Sequence, residues 1–585
     1  MKYGKRVALL LVFSLLISIL TSGCKVESGR APVRYRNGGE LSFLPEEKIE
    51  MVKLSEMEYV RPDIYNLLND YDVLIRKAAE CEDVNELLEG YYDVYSRYMS
   101  VFSMSNLACF RRDLDSFDYY YKTETDESGA LASQIGAKNA ELMQAFAKSP
   151  LREELEKAYF GEGYFDDYDV EDFGALYYDY QWEEYELENE YLEAHSSPYV
   201  IYNGEGKTHN EWQESDSEEV KDGEYEAYIN QYHDRFAEIF VNLAKVRRNI
   251  ANAAGYDDYY EYRCDTYYRY DFTVEQIKDY LSWVKTYISP LLDKIVKKYP
   301  TELENVYHRR YPYPKDTDPV NMITSATRNM GGIVNDAAQF MKAYELYDYE
   351  SSPSKENRGY CGYINEYEAP FIFINPSTFD ATYVMTHEFG HFADAYYNYG
   401  TGKESMALCE VYSQAMEYLA FEYTDIFNEE LKNETLNQAL MELLLGSVVR
   451  QAIYAAFEIE VYETDPDELT VEKVDEIFYR IKEEFGYPEL YTSETEKKRW
   501  AGVNHFYMDS GYVISYSVSA IASLQIVEME YTNKGMGVAA YNKLLQRDHE
   551  KDFLGVLKDT GIVSPFDEYT IKEIAEFLKE ALGLY

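Results

Sequence analysis

His387-Glu388-Phe389-Gly390-His391 is the part of this sequence whose residue types and spacing can do chemistry. Two histidines four residues apart project from one face of a helix and can bind the same ion, the His-Glu-x-x-His pattern of a zinc site. Glu388, between them, is aimed at the ion's water and is not itself a ligand. With eight histidines and 107 acidic residues in 585 positions, all acids generously counted as glutamate, chance supplies only about 0.02 such matches. The bland alternative is a helix carrying two unrelated histidines. A catalytic zinc site needs a third protein ligand and an open position. Glu410 lies nineteen residues beyond His391 in a second helical stretch, Ser405–Gln414, and Gly400 and Gly402 allow the chain to reverse between the two. Glu410 is the expected third ligand. Glu417, seven residues on, falls on the same face and can hold a ligand histidine by hydrogen bond. In so acidic a chain either glutamate can instead be an ordinary solvated acid.

The elements that must position these groups follow from local signals. Asp380 can cap the zinc helix and Gly400 can end it. Ahead of it, Ala369-Pro370-Phe371-Ile372-Phe373-Ile374-Asn375-Pro376 is an apolar, β-prone run closed by a turn, and its prolines place it at a sheet edge. From Tyr59 to about Gly255, apolar residues at three- and four-residue spacing, such as Leu67, Leu68, Leu74, Ile75 and Ala78, predict helices. Aromatic and acidic residues interleave between Tyr159 and Tyr191. The EF-hand's glycine spacing is missing there, so a solvated acidic face with inward tyrosines is the simpler reading. No fixed-period repeat occurs.

Several stretches resemble the thimet oligopeptidase and oligoendopeptidase F group of zinc metallopeptidases. Pro370 to Asn375 looks like that family's substrate-flanking strand, and the zinc helix and Ala407-Leu408-Cys409-Glu410-Val411-Tyr412-Ser413 follow in its order and spacing. Arg450 to Glu458 is similar to a helix of the oligoendopeptidase branch, and Asn504-His505-Phe506-Tyr507 through Tyr512 and Tyr516 resembles the segment that closes over substrate. One departure stands out. The family usually has another histidine three residues past the second ligand, and here Asp394 occupies that place, which bears on the hydrogen bonding around the ligands. The resemblance implies a mainly α, prolate helical body with a deep substrate channel and a small β-sheet beside the zinc helix. It implies one Zn2+ per chain, short extended peptides as substrates, and strand-like pairing of those peptides with Phe371–Asn375. In such an enzyme the zinc brings the pKa of its water toward ~7, Glu388 moves the proton to the leaving amine, and His505, Tyr512 and Tyr516 are candidate donors to the oxyanion. The rivals are a peptide-binding lipoprotein without catalysis, a proteolytically silent surface protein, and a zinc carboxypeptidase.

Composition sets the setting. Lys and Arg number 56 against 107 acids, a net charge of −51 that repels nucleic acid. Nothing in the sequence marks an obligate protein partner. Lys2, Lys5 and Arg6 precede an uncharged, mainly apolar run, Val7 to Leu20, too short to span a bilayer. Leu20-Thr21-Ser22-Gly23-Cys24 then resembles a bacterial lipobox, with Thr21 in place of the preferred leucine. The expectation is lipidation at Cys24 and a place in the bacterial cell envelope, extracytoplasmic and tethered to the membrane. The expected organisation is a signal peptide over 1–23, a polar tether over 24–55, an N-terminal helical domain over 56–255 and a catalytic domain over 256–585. The other cysteines, Cys81, Cys109, Cys264, Cys361 and Cys409, are odd in number and lack a Cys-x-x-Cys pair, so isolated thiols are expected. The 63 tyrosines have no explanation in composition alone.

Overall fold

A computed structural model describes residues 51–168, 175–195, 198–213, 215, 217–352, 354–356, 358–376, 380–399 and 405–585. The signal peptide, Cys24, most of the tether, and Gly400 and Gly402 lie outside the described residues. The chain divides into two compact units, one comprising residues up to Trp182 with Ala343–Asn375, the other Glu183–Lys342 with Pro376–Tyr585. The sequence reading put a single boundary at 255/256, whereas these units part at Trp182, Lys342 and Asn375. Packing also begins before the expected end of the tether, since Leu54 is buried and its N–H donates to Tyr344 O at 3.2 Å.

The first unit is built on α1 (Ile64–Lys77), α2 (Val84–Leu114) and α3 (Tyr119–Ala147). Asp63, Asp83 and Asp118 cap their N-termini, each accepting from backbone N–H groups of the first turn. The apolar spacing read from the sequence faces inward, with Leu67, Tyr71, Leu74, Leu88, Tyr91 and Phe146 in one core. A three-stranded sheet completes it: β1 (Tyr347–Asp348), β2 (Gly359–Ile364) and β3 (Ala369–Ile374), in the order β1-β3-β2. Here the sequence expectation fails, because β3 is the central strand and every residue of it is buried. Proline is tolerated for a geometric reason. Ile372 N–H donates toward β1, to Leu346 O at 3.0 Å, so the donor missing at Pro370 points to the same side, before the β1 pairing begins at Tyr347. The sheet packs on α2 through Phe110, whose ring lies 5.0 Å from that of Phe371.

The second unit is mainly helical and holds the candidate site. Its long α4 (Glu218–Ala253) is capped by Ser217, and α5 (Ala381–Asn398) by Asp380, which accepts from Tyr383 N–H at 2.9 Å as the sequence suggested. α6 (Met406–Tyr423) is buried from Met406 to Phe421. A helical run from Glu429 to Glu463 is long and apolar enough to cross a membrane, yet 67% of its apolar window is buried inside the protein, as in a core helix. That run contains a π-turn, Leu443–Val449, followed by α7 (Arg450–Glu463). α8 (Val513–Thr532) packs on α6, with Ser523 Oγ donating to Val411 O at 3.1 Å. The unit also has an antiparallel hairpin, Tyr199–Tyr202 with Glu205–Thr208, turned by Asn203-Gly204, both at positive φ. That Asn-Gly signal falls in the half of the sequence read as helical.

Candidate metal centre

Two helices make the centre, and a glycine lets them do so. A Cβ at Gly390 would collide with the backbone of Tyr412 and Ser413, so α5 and α6 touch main chain to main chain at the motif. His387 and His391 then share one face of α5, with ring centroids 5.0 Å apart, and Glu410 comes to them from α6. Glu410 Oε2 lies 3.7 Å from Nε2 of each histidine, and the three ligand atoms all fall within 4.8 Å of one another. Donors about 2.1 Å from a tetrahedral ion stand roughly 3.4 Å apart, so the spacing suits one cation, and two imidazoles with a carboxylate are the donor set of a catalytic zinc site. Among the described residues no other such group is present.

Glu417 acts as the spacing suggested. Its Oε1 lies 2.7 Å from His387 Nδ1, a contact that would keep a proton on Nδ1 and leave Nε2 to an ion, and its Oε2 accepts from Tyr383 OH at 2.5 Å. Burial opposes a proton on His387, but the Glu417 hydrogen bond and the charges of Glu417, Glu388 and Glu410 outweigh it and push the ring up to about 10. Burial and the His387 charge push His391 down to about 3. Glu388 is buried. Asp394 does not support a ligand ring. It is turned to Arg547 and to Asn398 Nδ2 at 2.7 Å, Arg547 donates onward to Tyr412 OH at 3.0 Å, and His391 Nδ1 has no hydrogen-bond partner among the described residues.

His505, Tyr512 and Tyr516, named only by resemblance, come together at Glu410. Tyr512 OH donates to Glu410 Oε1 at 3.0 Å, so this tyrosine orients the third donor. The His505 ring stacks on Tyr512 at 5.7 Å and meets Tyr516 edge-on at 5.8 Å. Burial keeps His505 neutral by lowering its pKa, and burial with the Glu410 charge raises Tyr516 so that its hydroxyl stays protonated.

What the sequence did not disclose is how the segment carrying His505 and Tyr512 is held. Arg247 of α4, only 1% exposed, donates through Nη1 to Phe506 O at 2.7 Å and through Nη2 to Tyr507 O, while its Nε reaches Glu184 at 2.7 Å. Arg263 Nε donates to Ser510 O at 3.3 Å, Tyr268 OH to Asp509 O at 3.2 Å, and Tyr270 OH to Gly511 O at 3.3 Å. Gly511, at φ +83°, gives its N–H to both oxygens of Glu458 on α7, at 3.1 and 3.3 Å. Nothing local in the sequence marks Arg247, Arg263, Tyr268 and Tyr270 for this task, because the carbonyls they hold lie more than two hundred positions away.

The chain matches two family models, the peptidase M3 N-terminal domain over residues 54–171 and peptidase family M3 over residues 332–576. It is 23% identical over 334 residues to the chromosomal oligoendopeptidase F of Lactococcus lactis subsp. cremoris, an alignment covering 54% of this chain and 55% of that protein. The chain thus spans about half the length of the curated relative it matches. Among solved structures, its fold is similar to Pz peptidase A with an inhibitor, at TM-score 0.75 and 22% identity over 91% of this chain and 99% of that one. It is also similar to oligoendopeptidase F from Enterococcus faecium, at TM-score 0.59 and 15% identity over 89% and 96%.

Proposed function

This chain belongs to peptidase family M3, and on that premise we propose that it is a zinc oligoendopeptidase that hydrolyses short peptides outside the cytoplasm, tethered to the membrane by a lipid on Cys24. The observation that carries the catalytic part is the convergence of His387, His391 and Glu410, with His387 oriented by Glu417. The anchor rests on the basic and apolar leader and on the Leu20–Cys24 lipobox.

His387 Nε2, His391 Nε2 and Glu410 Oε2 would hold a zinc ion. When bound there, zinc supplies Lewis acidity that acidifies water and polarises the scissile carbonyl. Glu388 takes the proton from the attacking water and passes it to the nitrogen of the leaving amine as the C–N bond breaks. Tyr516 and neutral His505 donate toward the developing oxyanion, and Tyr512 keeps Glu410 in place.

Glu388→Gln should keep zinc and lose about 10² to 10⁴ in kcat. His387→Ala should lose the metal. A mixed peptide digest with and without chelator separates the readings. Internal fragments that vanish with chelator support the endopeptidase, single residues released from the C-terminus point to a carboxypeptidase, and intact peptides retained by the protein point to a binder. Undiminished turnover by Glu388→Gln removes that residue from its role.

A further inference from the structure

The enclosed arginines of the second unit differ in one respect. Arg247 is matched to Glu184, Glu188 and two carbonyls, Arg547 to Asp394, and Arg499 to Glu496. Arg450, the first residue of α7, is half-buried and makes no hydrogen bond and no ion pair among the described residues. Its nitrogens remain open to solvent, and a guanidinium whose donors are taken by no acidic side chain is free to bind an anion.

Its surroundings say where that ligand lies. A Cβ added at Gly446, in the π-turn, would crowd Arg450 Nη2 at 3.1 Å and Glu442 Oε1 at 3.2 Å, yet the two side chains do not pair, and Glu442 Oε2 has no partner among the described residues. Tyr307 OH, close enough to feel the Arg450 charge, is likewise buried without a partner among the described residues. One helical turn past Arg450, Tyr454 packs edge-on against Phe506 at 5.3 Å, next to His505. On the other flank the Glu442 charge acts on Tyr311, which stacks at 4.6 Å on Tyr383, the residue that donates to Glu417. Arg450 therefore stands between the two supports of the metal centre, on a wall lined by tyrosines, with its planar fork of donors unused.

We propose that Arg450 is a specificity-determining residue that grips a carboxylate of the peptide substrate, either its free C-terminus or an acidic side chain. The fork of a guanidinium matches a carboxylate with two parallel hydrogen bonds, and a half-buried site strengthens them. In a chain of net charge −51 such a group singles out an anion that the overall field repels, so it confers selectivity more than capture rate. This rests on the peptidase reading above.

The test uses the full chain loaded with zinc and two peptide pairs, one differing only in a C-terminal acid or amide, the other only in Glu or Gln at one position. Wild type should prefer the acid member of one pair by about ten- to a hundredfold in kcat/KM, with the difference mainly in KM. Arg450→Met should bring that ratio near one, and Arg450→Lys should restore part of it. The pair that responds identifies the source of the carboxylate. Binding of the same peptides to Glu388→Gln, with and without Arg450→Met, reads recognition apart from turnover. Arg450-dependent binding without cleavage by wild type keeps this proposal and removes the peptidase reading. A ratio that is flat in wild type, or that survives Arg450→Met in a variant shown folded by thermal unfolding, overturns it. A lowered Tm with an unchanged ratio does so too, making Arg450 merely the counter-ion of Glu442.

Discussion

The metal ligands and the His505–Tyr512 segment meet at Glu410, but they are held there by different means. The ligands ride on α5 and α6, two regular helices whose backbones touch at Gly390, so i, i+4 geometry and one missing Cβ position them. The segment is short and irregular, and its carbonyls and one amide are gripped by side chains of Arg247, Arg263, Tyr268, Tyr270 and Glu458. The difference teaches that the candidate ligands and the segment are placed by separate means, joined where Tyr512 OH meets Glu410. One depends on helix packing, the other on a buried ionic network.

Arg247→Met attacks that contrast hardest. It leaves Glu184 and Glu188 facing each other without their cation and removes the donors to Phe506 O and Tyr507 O, so a loss of about 3 to 5 kcal/mol is expected in denaturant unfolding. The variant that remains folded should lose more in kcat than in zinc affinity, whose drop should not exceed that of Tyr512→Phe. If zinc is lost in proportion to activity, the two regions are one. Gly390→Ala comes next, because the new methyl meets backbone and no flexible side chain can yield. It should cost about 3 kcal/mol and, in contrast, take zinc with it. Zinc bound stoichiometrically by a fully stable Gly390→Ala would show that α5 and α6 have slack. Tyr512→Phe tests the point of contact. Without the hydroxyl on Glu410, zinc affinity should drop by about ten- to a hundredfold in a chelator competition, and an unchanged affinity would free Tyr512 from that role.

The first of these supports was legible in the sequence and the second was not, for a physical reason. His387, His391, Glu410 and Glu417 declare themselves because helical periodicity converts spacing directly into direction. Asp380 as a cap and the apolar stripe of Leu67 and Leu74 are readable in the same way. β3 misled because prolines near a strand suggest an edge, whereas the absent donor at Pro370 merely falls outside the short reach of β1. The Asn203-Gly204 hairpin was signalled and overlooked. The tyrosines were opaque because composition does not say where a hydroxyl goes. In the fold they act as large core residues whose OH groups donate to backbone carbonyls, Tyr280 to Ser517 O at 2.9 Å and Tyr412 to Leu544 O at 2.8 Å. The Arg247 network depends on contacts between segments far apart in the chain, which no local pattern encodes. The spared Asp394 shows the same limit, since only its partner Arg547 explains why an acid sits in the zinc helix without touching a ligand.

The comparison can also be sharpened through pH. Burial, eased by the Gly511 N–H, lifts the Glu458 carboxyl from its ordinary 4.5 to about 8. Below pH 4.5 both folded and unfolded chains carry its proton, and stability owes nothing to pH through this group. Between about 4.5 and 8 the folded protein keeps a proton that the unfolded chain has released, so stability falls as pH rises, by on the order of 1 kcal/mol per unit. Above 8 the charge is present in both states and the penalty is constant. Glu458→Gln keeps an acceptor for Gly511 and removes the titration. Denaturation curves of variant and wild type should therefore coincide near pH 4.5 and separate steadily to pH 8, with the variant the more stable. A residual slope will persist in the variant, because burial and Glu184 also raise Glu188 to about 8. Parallel curves across this window would mean that Glu458 is already ionised behind the segment, balanced by Arg247 and Arg263. The grip on Gly511 would then be a charged one, and the segment as tightly fixed as the helices that carry the ligands.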